Sequence, residues 1–279
     1  MTDKNKILII LGMHRSGTSL ITHWLQCCGL EIGADLMGPS VGNVEGHFED
    51  IDFFEVHKQI LKDNKIVDSG ISYKADLKIK PEYKNKIKNL IAEKNRRFSQ
   101  WGWKEPRTCL FLDVYNEMLP DAYYFVIFRD FQLVVTSLIK REFADRDVAY
   151  SSPGKGFFSK LFWHKIKKKG EFDRLCRRRT EYFLRVWLFY NEKLLSNLKV
   201  ISPDKYLVLN YDMLNKKDKE VTDVLIDKWN FSLKHFSFSN IFKKDLFSET
   251  FNIETFIKDK ELISRAKSVT ANLMSFVPA

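Results

Sequence analysis

Gly12-Met-His-Arg15-Ser16-Gly17-Thr18-Ser19 is the stretch of this chain best suited to hold an anion. Two glycines bound a short loop, an arginine sits inside it, and two hydroxyl residues follow. Ahead of it, Ile7 to Leu11 is an unbroken run of isoleucine and leucine, as expected of a strand buried on both faces. Behind it, Leu20, Ile21, Trp24 and Leu25 recur at three- and four-residue steps, a helical period that starts at Thr18. A strand, a glycine-bounded loop and a helix N-terminus form a phosphate cradle. The N–H groups of the loop and first turn point at one place, and the helix dipole favours negative charge there. The spacing is close to a P-loop, but Thr18-Ser19 follows the second glycine where that pattern has Lys-Ser/Thr. The missing lysine and the arginine inside the loop argue against an ordinary ATPase or kinase. They point to a phosphate-bearing ligand with a different charge layout, although a plain strand-to-helix turn would also use these glycines.

A second constellation lies in FVIFRDFQLVVTSLIKR. Arg129 follows an apolar run, Ser137 lies eight residues on, and Arg141 is one helical turn beyond Ser137 on the same face. An arginine fork and a hydroxyl converging on one point make a phosphate grip; an exposed arginine on a solvated helix would show the same spacing. Two further stretches hold ionisable groups: Lys104-Glu105-Pro106-Arg107 in WGWKEPRT, and Glu45, His47, Glu49 and Asp50 in NVEGHFED. An ordinary surface ion pair would suit the first, and a helix-start carboxylate would suit Glu49.

The elements that must position these groups alternate. The helix from Thr18 is expected to stop at Gly29, and a glycine-rich connection then runs from Leu30 to about His47. Such a long irregular segment beside a phosphate loop is often functional. Glu49-Asp50-Ile51-Asp52 opens an amphipathic helix through Phe54, His57 and Leu61, with carboxylates in its first turn. Pro81 starts another, with Tyr83, Ile87, Leu90 and Ile91 on one face. Trp101 to Thr108 reads as a strand edge and turn. Leu110 to Leu119 is helical and stops at Pro120. Tyr123 to Phe128 and Tyr206 to Tyr211 are strands, and helices are expected over Phe131–Arg141, Tyr182–Leu198 and Lys219–Trp229. This alternation predicts an α/β fold, a parallel sheet covered by helices on both faces. Ligands in such sheets lie at the carboxyl ends of the strands, so the loop at 12–18 and the residues after Trp103 and Phe128 should meet along one edge.

The chain has 279 residues, 44% hydrophobic and 14% aromatic, enough for a single α/β domain with a lid at about 150–180. A formal net charge of +10 favours anionic partners without choosing among them. No apolar run is long enough to span a membrane, and MTDKNKILII has no signal-peptide cleavage site. Cys27, Cys28, Cys109 and Cys176 lack metal-ligand spacing, so no metal is expected and a reducing cytoplasm fits best. Between Gly154 and Arg179 ten lysines and arginines face only Glu171 and Asp173, with Phe157, Phe158, Leu161, Phe162 and Trp163 interleaved. That mixture suits a contact with the inner membrane surface, or a cleft wall for an acidic glycan; a solvated insertion would look the same. No motif supports nucleic acid.

GMHRSGTSL resembles the 5′-phosphosulfate loop of sulfotransferases that use 3′-phosphoadenosine 5′-phosphosulfate (PAPS), the bacterial branch most and the tyrosylprotein enzymes more distantly. The resemblance covers roughly residues 6–60 and 101–145, with a weaker echo in YLVLNYDML. It implies that Arg15, Ser16, Gly17, Thr18 and Ser19 hold the 5′-phosphate end. Arg129 and Ser137 match the arginine and serine that hold the 3′-phosphate, and Arg141 matches a further basic residue less securely. Lys104 matches a lysine placed near the transferring sulfuryl group, where it and Arg15 would supply positive charge for catalysis, and Glu105 and Arg107 would pair beside it. A base must take the acceptor's proton. Glu49 is favoured by likeness to the tyrosylprotein enzymes, with His47 next and Glu45 or Asp50 after it. The resemblance implies release of adenosine 3′,5′-bisphosphate, no metal, and a hydroxyl acceptor, with a glycan or lipid-linked sugar favoured. The alternatives are a P-loop kinase-like phosphotransferase, or a non-catalytic nucleotide-binding module docked on membranes through 154–179.

Overall fold

The computed structural model describes residues 5–38, 46–74, 77–151, 167–242 and 250–278. Four strands form one parallel sheet: β1 (Lys6–Leu11), β2 (Gln100–Lys104), β3 (Tyr123–Phe128) and β4 (Tyr206–Asn210), in the order β2-β1-β3-β4. The helices of eight residues or more are α1 (Thr18–Cys27), α2 (Ile51–Asp63), α3 (Pro81–Arg97), α5 (Phe131–Ser151), α6 (Lys168–Leu198), α7 (Leu214–Asp223) and α8 (Lys260–Met274); α4 (Leu112–Met118) is shorter and follows a 3₁₀ turn at Pro106–Phe111.

Side chains alternate across the sheet. Ile7, Ile9 and Leu11 of β1, with Trp101, Trp103, Tyr124, Val126 and Phe128, join a core that also holds residues of α2, α3, α5, α6 and α8. Leu8 and Ile10, with Phe125, Ile127, Leu207 and Leu209, face a second core with Ile21, Trp24 and Leu25 of α1. Both faces are thus covered, which is why the strands read as continuous apolar runs. Register sets the site. Ile10 lies beside Lys104 and Phe125, and Phe128 lies beside Asn210. The residues that follow β1, β2, β3 and β4 therefore emerge along the same edge.

The strand edge and turn expected over Trp101–Thr108 is found as β2, an edge strand of the sheet with Trp101, Trp103 and Lys104 buried, followed by the 3₁₀ turn. Gly102 leaves no room for a side chain, since a Cβ there would lie 2.3 Å from the Leu8 carbonyl oxygen. Several elements differ from expectation. Helix α5 continues ten residues past Arg141 and α6 begins at Lys168, not Tyr182. Charge explains both extensions. Glu142 of α5 accepts from Arg146 and Arg179, Glu171 accepts from Arg146 and Arg174, and Asp147 pairs with Lys168. The cations of 168–179 thus meet carboxylates from a neighbouring helix as well as their own. Helix α7 starts before Lys219 and gives way to a π turn at Val224–Lys228, and α8 carries no expectation from the sequence. Residues 152–166, which hold the interleaved aromatic side chains, lie outside the described residues. No helix among the described residues is long and apolar enough to cross a membrane.

Candidate active site

The loop after β1 is shaped by close approach. A Cβ on Gly12 would sit 2.5 Å from the Ile127 carbonyl oxygen. Gly17 caps α1 at φ 90°, and a Cβ there would sit 2.1 Å from the Tyr211 ring. Only glycine fits a left-handed position against an aromatic face. Arg15 also holds a positive φ, 69°, a conformation that costs a non-glycine residue about 1–3 kcal/mol and concentrates at functional sites. Gly17 supplies no side-chain cap, so the first-turn amides of α1 are left for an external anion.

The second grip meets the first. Arg15 Nε donates to Ser137 Oγ at 2.8 Å, and the two residues are 122 positions apart. Arg129 lies with its guanidinium 5.4 Å from the centroid of the Tyr211 ring, the ring that packs on Gly17. Burial and the charges of Arg141 and Arg129 push the Arg15 pKa down to about 10. Burial likewise lowers Arg129. Burial and two neighbouring guanidinium groups that disfavour the charge of Arg15 are an electrostatic debt that a polyanion would relieve. A donor set of loop amides, hydroxyls and arginines gathered at one edge fits a polyanionic ligand. Tyr211 is the part of this site the sequence marked only through YLVLNYDML; its seat on Gly17 is a product of strand register.

The end of β2 supplies the third part. Lys104 is 1% exposed. Its Nζ donates to Ser19 Oγ at 3.3 Å, to Glu49 Oε1 at 3.1 Å and to the His47 carbonyl oxygen. Burial lowers its pKa, and Glu49 opposes that. Arg107 donates to Glu105, reaches Glu49 Oε2 at 3.7 Å, and donates through Nε to the Asp68 carbonyl at 2.8 Å. Arg107 pulls the Glu105 pKa down to about 2 against burial. His47 Nδ1 lies 3.9 Å from Glu49 Oε1. Burial, then Lys104, Arg141 and Arg15, push its pKa down to about 4, so its imidazole is neutral at pH 7.

The structure sorts the sequence candidates. Arg15, Ser19, Glu49, Lys104, His47, Arg129 and Ser137 are drawn together by the contacts above. Arg141 stands close enough to lower Arg15, His47 and His14. Ser16, 1% exposed, donates its N–H to the Met13 carbonyl. Glu49 is not in a helical first turn; α2 begins at Ile51, and Asp50 is its cap, accepting from Asp52 N–H at 3.0 Å. Asp50 also accepts from Lys94 at 2.6 Å, so it is committed to structure. Glu45 lies outside the described residues. His14 was not singled out by its sequence. It is buried, Nε2 has no hydrogen-bond partner among the described residues, and burial with Arg107 lowers its pKa well below the usual histidine value. His57 and Tyr115, behind Glu105, were also missed; a histidine on the apolar face of α2 was the one signal available.

Among the described residues no group of three or more His, Cys, Asp or Glu is placed to hold a metal. No protein-family model and no curated protein matches the chain. Solved structures do. The sulfotransferase domain from the curacin biosynthetic pathway is 12% identical, covers 99% of this chain and 100% of its own, and superposes with a TM-score of 0.52. A sulfotransferase from Mycobacterium avium is also 12% identical, covers 97% of this chain and 77% of its own, and superposes at 0.58. At such identity the likeness is one of architecture: the chain is an α/β protein with the sulfotransferase fold.

Proposed function

We propose that the chain is a PAPS-dependent sulfotransferase acting on a hydroxyl acceptor, with a glycan or lipid-linked sugar favoured. The observation that carries the reading is the position of Lys104 Nζ, which touches Ser19 of the phosphate loop and Glu49 at once. A cation there joins the anion cradle to a carboxylate able to accept a proton.

The donor, when bound, supplies an activated sulfuryl group on a nucleotide leaving group. The chain's own residues then have separable tasks. Loop amides of residues 15–18 and the hydroxyls of Thr18 and Ser19 hold the 5′-phosphate end. Arg129 and Ser137 hold the 3′-phosphate, Arg15 keeps the Ser137 hydroxyl oriented, and Arg141 adds positive potential. Lys104 stabilises negative charge that develops on the bridging oxygen, a preorganised contribution inside a desolvated site. Glu49 Oε1 takes the acceptor's hydroxyl proton, with His47 as the neighbouring neutral base. Catalysis of this kind is mostly positioning and electrostatics. The basic start of α6 would meet an acidic acceptor or a membrane surface.

Thermal-shift titration with adenosine 3′,5′-bisphosphate against ATP–Mg²⁺ tests the reading. Stabilisation by the bisphosphate supports it. A chain stabilised only by ATP–Mg²⁺ would be a kinase-like phosphotransferase, and binding of the bisphosphate without turnover across acceptors would leave a nucleotide-binding module.

A further inference from the structure

Behind Glu49 and Lys104 the protein buries a line of polar groups whose bonds lead to the anion cradle through Glu49 and Lys104. Tyr115 of α4, His57 of α2 and Glu105 at the end of β2 are all fully buried, and so is most of Arg107. His57 Nε2 lies 2.7 Å from Tyr115 Oη, and His57 Nδ1 bonds to Glu105 Oε2. The other oxygen of Glu105 accepts from Arg107, whose guanidinium reaches Glu49 at 3.7 Å. Arg107 is also pinned by the Asp68 carbonyl at 2.8 Å and lies over the Phe54 ring at 4.7 Å. Glu49 closes the line on Lys104 at 3.1 Å.

The bonding capacities allow one neutral arrangement of protons. Glu105 is a carboxylate and only accepts, so His57 Nδ1 carries a proton. Burial raises Tyr115 well above the usual tyrosine value, so its hydroxyl keeps its proton, and His57 Nε2 is the partner that can accept it. An imidazolium would leave the buried hydroxyl proton with no acceptor among the described residues. Buried polar lines of this type are costly unless every member is satisfied, and here each one is.

We infer that His57, fixed as its Nδ1–H tautomer by Tyr115, is a positioning residue that holds Glu105 and through it Arg107, Glu49 and Lys104 in the arrangement that meets the sulfuryl end of the donor. The inference rests on the proposed donor reading and deepens it. None of the bonds along this line runs to Arg129 or Ser137, so disturbing it weakens recognition of the sulfuryl group while sparing the bisphosphate. A role in stability alone would not separate the two ligands.

The test measures affinity for PAPS and for adenosine 3′,5′-bisphosphate by calorimetry, on the wild type and on Tyr115→Phe, His57→Leu and His57→Asn. Nitrogen-15 NMR of labelled histidine reads the tautomer. The expected result is an Nδ1–H imidazole at His57, about tenfold weaker PAPS binding in His57→Leu, the loss of one hydrogen bond to a charged group, and about threefold weaker binding in Tyr115→Phe, the loss of one to a neutral imidazole. Bisphosphate affinity should stay within about twofold, and His57→Asn, which keeps an N–H facing Glu105, should recover most of the loss. An Nε2–H tautomer, an unchanged ratio of the two affinities, or equal weakening of both overturns the inference. A wild type that binds neither compound overturns the donor reading and the inference with it. Tyr115→Phe, which keeps the ring, serves if the His57 variants fail to fold.

Discussion

Arg15 Nε hydrogen-bonds Ser137 Oγ at 2.8 Å, joining the loop after β1 to the helix after β3. This contact joins the two stretches proposed to hold the donor's phosphates. It also gives Ser137 a role in the free protein, as the acceptor that steadies an arginine held at positive φ.

Arg129→Ala should lose adenosine 3′,5′-bisphosphate by about tenfold or more, the loss of a charge-assisted contact. Binding of inorganic pyrophosphate, which the loop alone can serve, should change little. Parallel calorimetric titrations decide it; equal loss of both ligands would place Arg129 in the loop's own site.

Gly17→Ala should be destabilising by about 1–3 kcal/mol from backbone strain alone, with more from the clash at the Tyr211 ring, 2.1 Å from the added Cβ. Urea unfolding measures it. Tyr211→Ala in the same chain should recover the clash but not the cost of a positive φ.

Lys104→Met should abolish PAPS turnover while leaving bisphosphate binding nearly intact, since Lys104 contacts Ser19 and Glu49 and not Arg129 or Ser137. Removing one partner of a buried pair costs about 3–5 kcal/mol. Lys104→Met with Glu49→Gln should therefore be more stable than Lys104→Met alone, and a thermal melt compares them.

Acid should destabilise the fold in two stages. Below pH 6.5 the unfolded chain takes up a proton that folded His47 refuses until about pH 4, so stability is full above pH 6.5 and falls as pH drops through that window. His14, lowered in the same direction, adds to the slope. Glu105, held down to about 2, contributes stability that is present above the ordinary glutamate value and lost as pH falls toward 2. In a stability–pH profile His47→Gln should flatten the first stage only; an unchanged profile would mean that His47 is solvated.

Glu142, half-buried, accepts from Arg146 and Arg179. Glu142→Gln should cost less than about 1 kcal/mol, and by releasing cations it should raise binding to phosphatidylglycerol vesicles. Flotation with neither wild type nor variant bound would dismiss the membrane-docking proposal.

The alternating α/β order, the strands Ile7–Leu11, Tyr123–Phe128 and, to within a residue, Tyr206–Tyr211, and the loop at 12–18 were legible in the residues by themselves. Their signals are local: apolar runs of strand length, glycines at a turn, a helical period. The groups to be gathered at one edge followed from parallel topology, which delivers every strand's last residue to the same side. What tertiary structure alone decided is which of those groups touch. The Arg15–Ser137 bond, the Tyr211 ring on Gly17 and the bridge from Lys104 to Ser19 depend on strand register, which no local pattern encodes. Helix α6 reaches back to Lys168 because its cations pair with Glu142 and Asp147 of α5, partners more than twenty residues away. His57 looked like one more residue on an apolar helix face; only the fold, bringing Glu105 and Tyr115 to its two nitrogens, gives that imidazole a direction. Asp50, a neighbour of Glu49 with the same chemistry, became a helix cap paired with Lys94, because α2 begins one residue after it.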